Sequence, residues 1–419
     1  MKFEFLPAPN PLNIAPEEWL DWRWQIRQSL KSRLDFAKYF ELSVNEIAAF
    51  ESMKEAFKFQ TTPYYASLAD AKNPADPLRK ILMPTVNEAF SATQEMLDPL
   101  GEVKHSPVPR IIHRYPDRLL FLVTDLCSVY CRYCTRKHFT GKDQAFAKSK
   151  EYQEALNYIK KQKGLREVIL SGGDPLTLSD SILKKVLSDL RSIEHVEIIR
   201  MGTRIPVVNP MRVTPELVEM MKAFHPIFMM VHFNHPREIT SEAAQALLLL
   251  VNNGFPVMNQ MVLLNGVNNH EAIVQALSRR LLYLRVKPYY MFQCDPSEGT
   301  DHLRIHLDES LRIQRELWGR MSGLAVPHLS LDIPEGGGKV GFVPNFQTRR
   351  DGDDIEFQGW DGIQATYINP PREDNQTPSD IQTYLNEWNL VKNQTYGSKT
   401  QAQENFKEVK TKLFPDVHT

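Results

Sequence analysis

The pattern of hydrophobic and polar positions predicts a helical beginning for this chain. Up to about residue 106, apolar residues recur three or four positions apart, which is the spacing of one helix face. The clearest such series consists of Trp19, Trp22, Ile26, Leu30 and Leu34. Pro16 and two acidic residues precede this series, as is common where a helix begins. We therefore predict a helical N-terminal region over residues 1–106, with its aromatic residues in the core.

From about residue 107 to residue 345, short β-rich runs alternate with amphipathic segments of helical period. This alternation is typical of parallel strands joined by helical crossovers. The predicted strands are residues 119–124, 167–170, 196–201, 227–231, 257–263, 287–292 and 329–333. The helices between them are predicted to begin near residues 150, 180, 214, 240 and 271, and a sixth covers about residues 308–321. Six such units predict an α/β fold in which the strands form a partial (β/α)6 barrel.

Residues 346–419 follow the predicted barrel and are expected to form a C-terminal extension. After Pro370 and Pro371 the sequence is polar, and helical periodicity then returns over residues 380–391 and 401–413. We predict a helix at each of these two places.

The composition is that of an ordinary soluble globular protein. Of the 419 residues, 42% are hydrophobic and 24% are charged, and the formal net charge is −1. A charge this close to zero indicates no general attraction to nucleic acid or anionic membranes, so we expect neither as a partner. The N-terminus lacks the apolar core of a signal peptide, and no apolar run is long enough to span a bilayer. Together with the use of cysteine, these features predict a cytoplasmic protein.

Three of the four cysteines form the strongest candidate site. Cys127, Cys131 and Cys134 have the spacing C-x3-C-x2-C directly after the first predicted strand. Thiolates are soft ligands for iron and zinc, and a cubane iron–sulfur cluster takes one thiolate per iron. The alternatives are a zinc ion completed by a distant histidine, or buried free thiols, although zinc motifs usually contain two cysteine pairs. We therefore predict a [4Fe–4S] cluster with one iron left open to another ligand.

Polar residues also stand at or near the ends of the other predicted strands. They include the turn Ser171-Gly172-Gly173-Asp174, and the single residues Arg204, His232, Gln260 and Asp295. In barrels of this type the active site forms at the C-terminal ends of the strands. We therefore expect one rim of the barrel to carry the site.

Two glycine-rich motifs add to this candidate site. In the turn at residues 171–174 the glycines allow a close approach of backbone to a ligand, although such a sequence is usually only a turn. Its carboxylate could accept hydrogen bonds from a ligand ammonium. The second motif, residues 332–339 (DIPEGGGK), lacks the spacing of a phosphate-binding P-loop. Its Lys339 could form a Schiff base with an aldehyde cofactor, and the alternative is an ordinary lysine on a solvated loop.

Five segments resemble the lysine 2,3-aminomutase family of radical S-adenosylmethionine (SAM) enzymes. They are residues 113–118 (HRYPDR), 127–141 (CSVYCRYCTRKHFTG), 171–175 (SGGDP), 293–295 (QCD) and 332–339 (DIPEGGGK). The likeness extends over about residues 19–367. It implies a radical SAM partial barrel, an isomerase that shifts an amino group between adjacent carbons, and three cofactors. These are a [4Fe–4S] cluster, SAM and pyridoxal 5′-phosphate (PLP).

The resemblance also implies roles for the matching positions. The cluster would be bound by Cys127, Cys131 and Cys134. SAM would be bound by Ser171, Gly172, Gly173, Asp174, His232 and Gln260. PLP would be bound by the aldimine-forming Lys339 and by Arg114, Tyr115 and Arg118. The substrate would be bound by Arg136 through its carboxylate, and by Asp295 and Asp332 through a side-chain ammonium.

The two aspartates determine the expected substrate. A buried ammonium needs compensating negative charge, and two carboxylates provide it. In family members that act on glutamate, the positions matching Asp295 and Asp332 look basic or neutral, so two aspartates favour conversion of L-lysine to β-lysine. Arginine stays open as a substrate, and either aspartate alone is more often a helix cap or a turn residue. The resemblance also implies an electron donor such as flavodoxin or ferredoxin.

This chain departs from the family pattern at one place. The clostridial type carries a zinc site made from a mid-chain cysteine and C-terminal cysteines. Here the mid-chain position is His270, and no cysteine follows Cys294. We therefore expect no zinc site and interpret Cys294 as structural. A homo-oligomer is expected from the family, but the way in which this tail supports it is open.

Two other functions are compatible with a cysteine cluster. A radical SAM enzyme of DNA repair would need a basic groove, which the net charge of −1 and the Gly-Gly-Gly-Lys motif do not indicate. An iron–sulfur electron carrier would not need so large a barrel. Both are therefore weaker interpretations than an aminomutase.

Overall fold

A computed structural model of the protein describes residues 3–52, 58–89, 95–137, 140, 146, 148–370 and 377–392. A sheet of nine strands, arranged in chain order, runs through its centre. The strands are β1 Ile111–Tyr115, β2 Arg118–Thr124, β3 Glu167–Gly172, β4 Ile198–Thr203, β5 Ile227–Val231, β6 Val257–Leu263, β7 Lys287–Gln293, β8 His328–Ile333 and β9 Gly338–Phe342. Strands β2 to β8 run parallel to one another, and β1 and β9 are antiparallel additions at the two edges.

Before β1, the described residues form short helices. These helices are α1 Pro16–Trp19, α2 Trp22–Arg27, α3 Arg33–Phe36, α4 Val44–Ser52, α5 Pro63–Ser67 and α6 Pro77–Leu82. The apolar series that begins at Trp19 does not lie on one helix face, because Asp21 and Ser32 accept backbone N–H groups and start new helices. Leu30 instead joins an isolated β-bridge, and Leu34 is 71% exposed.

A helix follows each of the strands β2 to β7, as the sequence predicts. The helices of this part are α7 Ser149–Lys161, α8 Asp180–Arg191, α9 Ile205–Val208, α10 Pro215–Lys222, α11 Ser241–Asn252, α12 Glu271–Tyr283 and α13 Leu307–Leu317. The predicted α/β partial barrel of six βα units is therefore confirmed. The prediction that the sixth helix reaches residue 321 is wrong, because Trp318 is extended and Gly319 has a φ of 75°.

Five strands lie outside the predicted set. Two of them are β1 and β9, and the others form a separate antiparallel sheet of β10 Gln347–Asp351, β11 Asp354–Gln358 and β12 Gln364–Ile368. Helix α14, Ile381–Lys392, confirms the first helix predicted for the C-terminal extension. The second, at residues 401–413, lies outside the described residues, as do residues 138, 139 and 141 of the cysteine segment.

Side chains join the two edges of the nine-stranded sheet. Arg114 on β1 donates from Nε to the carbonyl oxygen of Gly336 at 2.7 Å, and from Nη2 to that of Gly337 at 2.8 Å. The hydroxyl of Tyr115 accepts the backbone N–H of Lys339 on β9 at 2.8 Å. These contacts bring β1 beside the glycine motif that precedes Lys339, and they nearly close the barrel.

Strands β4 and β6 alternate between a fully buried face and a half-buried one. Along β6, every second residue is buried, and Gln260 belongs to the half-buried set. The strand register places Gln260 on the same face as Phe292 of β7 and Asp332 of β8. This face lines the barrel interior, and the buried face packs against the helices. Among the helices that the structure describes, none is both long enough and apolar enough to cross a membrane.

Candidate active site

The loop after β2 brings the three predicted cysteines to one pocket. The pocket is lined by Cys127, Cys131 and Cys134 together with Lys58, Val129, Tyr130, Arg132, Lys137 and Thr140. Residues before β1 hold this loop in place. Gln60 donates from its side chain to the carbonyl oxygen of Cys127 at 3.1 Å, and Glu88 forms a buried ion pair with Arg132. Residues that precede the barrel and lie outside α1 to α6 therefore help to shape the cysteine pocket.

The cysteine thiols are crowded and only partly exposed to water. Burial raises the pKa of Cys127 and of Cys134, and the charge of neighbouring thiolates raises both further. Three thiolates at this place would therefore need positive charge among them, which a bound metal would supply. Among the described residues, no group of three or more histidine, cysteine or carboxylate side chains is arranged to hold a single metal ion.

Arg204 follows β4 and touches the cysteine site, a contact that the sequence did not predict. Its guanidinium donates to Sγ of Cys131 at 2.8 Å, to the hydroxyl of Tyr65 at 2.6 Å and to Oε1 of the buried Glu238 at 3.0 Å. The guanidinium also lies 4.9 Å from the centroid of the Tyr65 ring. A positive charge with little exposure to water therefore lies against one cysteine sulfur, where it offsets negative charge.

The glycine motif at residues 171–174 joins the ends of β2 and β3. A Cβ on Gly172 would overlap the carbonyl oxygen of Thr124, and a Cβ on Gly173 would overlap that of Leu126. Gly173 and Asp174 donate their N–H groups to these same two oxygens, each at 2.7 Å. Gly172 has a φ of 115°, which glycine adopts much more readily than other residues. The two glycines therefore fix the course of the backbone that leads into the cysteine loop.

Asp174 lies at the rim, and its carboxylate is engaged by the protein. It accepts the hydroxyl of Thr203 at 2.8 Å, the N–H of Arg204 at 2.7 Å and the N–H of Leu176 at 3.0 Å. Burial raises the pKa of Asp174, and these hydrogen bonds oppose part of that rise. Asp174 thereby ties the end of β4 to the glycine motif, and its contact with the SAM ammonium stays a prediction.

His232 and Gln260 reach the same rim from β5 and β6. The Nε2 of His232 is buried and finds no hydrogen-bond partner within the part of the chain that the structure describes. Its ring stacks on Tyr133 with the centroids 5.5 Å apart. Burial lowers the pKa of His232 to about 3, with a further contribution from Arg204, so the imidazole is neutral. A buried nitrogen without a partner fits a ligand that supplies the missing hydrogen bond, such as SAM.

Lys339 is paired across two strands instead of standing on an exposed loop. It lies on β9 opposite Asp332 of β8, so the expected loop is replaced by strand at this position. Its Nζ is 2.9 and 2.8 Å from the two carboxylate oxygens of Asp332. Nζ also lies 5.0 Å from the centroid of the Phe292 ring. The lysine is therefore held at the interior face of the barrel.

Asp295, after β7, belongs to the same group of charges. Burial and the charge of Asp332 raise the pKa of Asp295 to about 7, whereas Lys339 and Arg304 oppose this rise. The two predicted aspartates therefore lie near enough for their charges to interact, and the Lys339 ammonium contacts Asp332.

Arg136 contacts Glu102 and also Ser171, which belongs to the glycine motif at residues 171–174. Its guanidinium donates to both carboxylate oxygens of Glu102, at 2.6 to 3.0 Å, and to the hydroxyl of Ser171 at 3.1 Å. Glu102 is absent from the sequence-based site, because no motif marks it. The predicted carboxylate-binding arginine is therefore already joined to a carboxylate of the protein.

Three predicted cofactor-binding residues lie on or beside β1, next to Lys339. Arg114 and Tyr115 make the hydrogen bonds that join the sheet edges. Arg118 lies 4.0 Å from the centroid of the Tyr115 ring and pairs with Asp117 at 2.7 Å. Because the Arg114 guanidinium already binds two carbonyl oxygens, a phosphate here would have to use its remaining N–H groups.

The two residues considered in connection with zinc have structural contacts. His270 accepts the N–H of Ala272 at 3.1 Å and so caps α12. Cys294 is buried, and burial raises the pKa of its thiol to about 12.

Comparison with known proteins first identifies the class of enzyme. Residues 121–277 match the model of the radical SAM superfamily, so the protein is a radical SAM enzyme, a class that uses SAM and a [4Fe–4S] cluster. Residues 314–418 match the model described as lysine-2,3-aminomutase. The L-lysine 2,3-aminomutase of Fusobacterium nucleatum is 42% identical over 358 residues, which cover 85% of this chain and 84% of that protein. The chain therefore belongs to the lysine 2,3-aminomutase family.

Two further relatives have similar coverage. The L-lysine 2,3-aminomutase of Clostridium subterminale is 42% identical over 358 residues, covering 85% of this chain and 86% of that protein. The glutamate 2,3-aminomutase of Clostridioides difficile is 38% identical over 351 residues, covering 84% and 83%. Because all of these relatives are aminomutases, the protein is an isomerase. Among solved structures, Streptococcus suis SuiB bound to S-adenosylmethionine matches 52% of this chain and 51% of its own with 12% identity and a TM-score of 0.42, which is too low a likeness to add to the fold.

Proposed function

We propose that the protein converts L-lysine to β-lysine by moving the amino group from the α-carbon to the β-carbon. The observation that carries this proposal is the group formed by Asp295, Asp332 and the ammonium of Lys339. The ammonium at the end of a substrate lysine would find the same negative charge, which offsets the cost of removing it from water. The relatives named L-lysine 2,3-aminomutases support this substrate.

The residues present fit three bound groups. We infer that the cluster is held by Cys127, Cys131 and Cys134, and that SAM is lined by Ser171, Gly172, Gly173, Asp174, His232 and Gln260. We infer that PLP is held by Lys339, Arg114, Tyr115 and Arg118. When bound, the cluster and SAM supply a radical that removes a substrate hydrogen, and PLP supplies a conjugated ring that stabilises the unpaired electron.

The protein orients Lys339 before a cofactor arrives. Asp332 holds its Nζ, and the Tyr115 hydroxyl holds its backbone N–H. Lys339 would hold PLP through Nζ, and Asp332, which pairs with Nζ in the absence of PLP, would face the ammonium of the substrate side chain.

Glutamate and arginine are the alternative substrates within the family. The relative from Clostridioides difficile is a glutamate enzyme. In this chain, an acidic side chain would be repelled by Asp295 and Asp332, so glutamate is disfavoured. Arginine also ends in a cation, so charge alone does not separate it from lysine.

Anaerobic reconstitution with iron, sulfide and PLP tests the proposed function. The loaded protein is incubated with SAM, a reductant and single amino acids, and β-amino products are separated by chromatography. We expect β-lysine as the main product, and a main product of β-glutamate would contradict the proposal. Borohydride should fix PLP on Lys339, and a label on another lysine would reject that role.

We also propose that the protein has an electron donor as a partner, because the radical chemistry requires one. The cluster must receive single electrons, which a donor such as flavodoxin or ferredoxin would supply. We propose that the protein is a homo-oligomer and that its chain divides into residues 1–106, 107–345 and 346–419. Size measurement in solution and limited proteolysis test these two proposals.

A further inference from the structure

Glu102 is directly bonded to the arginine that is proposed to bind the substrate carboxylate. Its Oε1 accepts from Nη2 of Arg136 at 2.6 Å, and both of its oxygens accept from Nε at 3.0 Å. The Glu102 side chain is 11% exposed and that of Arg136 is 18% exposed, so water screens the pair little. A guanidinium stays protonated in proteins, so this contact joins two opposite charges.

The backbone around Glu102 is fixed. The Asp98 side chain accepts the N–H of Glu102 at 2.8 Å. The neighbouring carbonyl oxygen of Pro99 accepts the N–H of Glu335 at 2.9 Å, and so ties this segment to the motif that leads to Lys339. Glu102 is therefore carried by a segment that is attached to the proposed cofactor site, not by a mobile surface turn.

Arg136 keeps donors for one more acceptor. A guanidinium has five N–H groups. Glu102 takes the one on Nε and one on Nη2, and Ser171 takes one on Nη1 at 3.1 Å. Five less these three leaves two, so among the described residues one N–H on each terminal nitrogen stays open. These N–H groups are the ones that a carboxylate of a ligand would use.

We propose that Glu102 is a positioning residue that holds one edge of the Arg136 guanidinium and so presents its remaining N–H groups to the substrate carboxylate. This inference rests on the proposed function, in which Arg136 binds that carboxylate. Glu102 already offsets the charge of Arg136. The orientation of the substrate carboxylate would therefore depend more on directed hydrogen bonds than on net charge.

The alternative is that the Glu102 carboxylate competes with the substrate carboxylate for the N–H groups of Arg136. Two observations favour positioning. Glu102 leaves one N–H group open on each terminal nitrogen of Arg136, and its backbone is anchored by Asp98. The two roles predict opposite changes in substrate affinity when the carboxylate of Glu102 is removed.

Equilibrium dialysis of labelled L-lysine against the reconstituted full-length protein tests the proposal. Lysinamide, which lacks the carboxylate, is the comparison ligand. Glu102→Gln keeps the side-chain size but replaces one acceptor oxygen by a donor amide. We expect the Kd for lysine to rise roughly tenfold or more, as when a hydrogen bond to a charged group is lost. The Kd for lysinamide should change little, and Glu102→Asp, which keeps both acceptors, should retain part of the lysine affinity.

Two controls separate this effect from a general loss of structure. Glu46 holds the same edge of Arg79, accepting from Nε and Nη2 at 2.8 Å each, within the N-terminal helices. Glu46→Gln should therefore leave both Kd values unchanged in the protein that folds. In an Arg136→Lys background, Glu102→Gln should have no further effect on lysine, because the two residues act through one contact.

The possible outcomes give clear answers. A lower Kd for lysine in Glu102→Gln would reveal competition and overturn the proposal. Equal changes for lysine and lysinamide would reveal a general structural effect and would overturn it too. A wild-type protein that fails to bind lysine contradicts the proposed function itself, whereas normal lysine binding and turnover in Glu102→Gln contradicts only this inference.

Discussion

The Nζ of Lys339 lies 2.9 and 2.8 Å from the two carboxylate oxygens of Asp332, its partner on the neighbouring antiparallel strand. Directly opposite residues of such a pair share one face of the sheet, and here that face lines the barrel. The contact links the residue proposed to carry PLP with a residue proposed to bind the substrate. The strand register of β8 and β9 therefore determines both sites together.

Asp332→Asn should weaken lysine binding strongly. Losing a hydrogen bond to a charged group costs roughly 1.5–3 kcal/mol, so we expect the KM for lysine to rise roughly tenfold or more. SAM cleavage without lysine should change much less. Steady-state kinetics check this result, with Asp189→Asn as a control that removes the carboxylate partner of Lys185 on α8. An unchanged KM for lysine would exclude Asp332 from the substrate site.

The raised pKa of Asp295 predicts a pH dependence of lysine binding. Its carboxyl group is protonated below about pH 7, and only the ionised form attracts an ammonium. Lysine affinity should therefore fall as the pH drops below about 7 and reach a plateau above it. Equilibrium dialysis across this range should show that Asp295→Asn loses this part of the dependence. The same pH profile in both proteins would contradict the assignment.

Gly173→Ala should disrupt the cysteine loop. A Cβ at this position would overlap the backbone of Leu126, just before Cys127, and neither backbone segment can move without breaking the hydrogen bonds between β2 and β3. We expect a large loss of iron after anaerobic reconstitution, measured per protein chain. Gly323→Ala is the matched control, because no described atom lies within 4 Å of the Cβ it would add. Full iron content in Gly173→Ala would refute this role.

The cysteine assignment predicts a difference between Cys131→Ala and Cys294→Ala. Cys131 lines the pocket with the other two cysteines, whereas Cys294 is buried elsewhere with a raised pKa. Cys131→Ala should lose the cluster spectrum and SAM cleavage, and Cys294→Ala should keep both. Iron analysis and detection of 5′-deoxyadenosine measure these outcomes. Normal SAM cleavage by Cys131→Ala would rule out the cluster site.

The parallel strands of the barrel could be predicted within a few residues, for a physical reason. Strands that are covered by helices are short apolar runs bounded by turn residues, and β5 and β6 have the bounds that the pattern predicts. Strand β9 could not be predicted in this way, because its sequence Gly338–Phe342 is glycine-rich and largely exposed. Only its pairing with β8 makes it a strand.

The residues of the candidate site also fall into two groups. Local motifs mark one group in the sequence, and contacts between distant residues define the other. The cysteine spacing and the glycine motifs are local, and the sequence alone marks them. The bond between Glu102 and Arg136 joins residues that are 34 positions apart and follows no periodicity, so no pattern predicts it. The same holds for the contact of Arg204 with Cys131, which the folding of β4 beside the cysteine loop creates.

The ratio of kcat/KM for L-lysine to that for L-glutamate, measured on the reconstituted wild-type protein, tests the central claim most directly. Two carboxylates that share one pocket favour a cationic side chain and repel an acidic one. We predict a large preference for lysine, with β-lysine as the product. Faster turnover of glutamate than of lysine would contradict the assignment of Asp295 and Asp332 to the substrate ammonium.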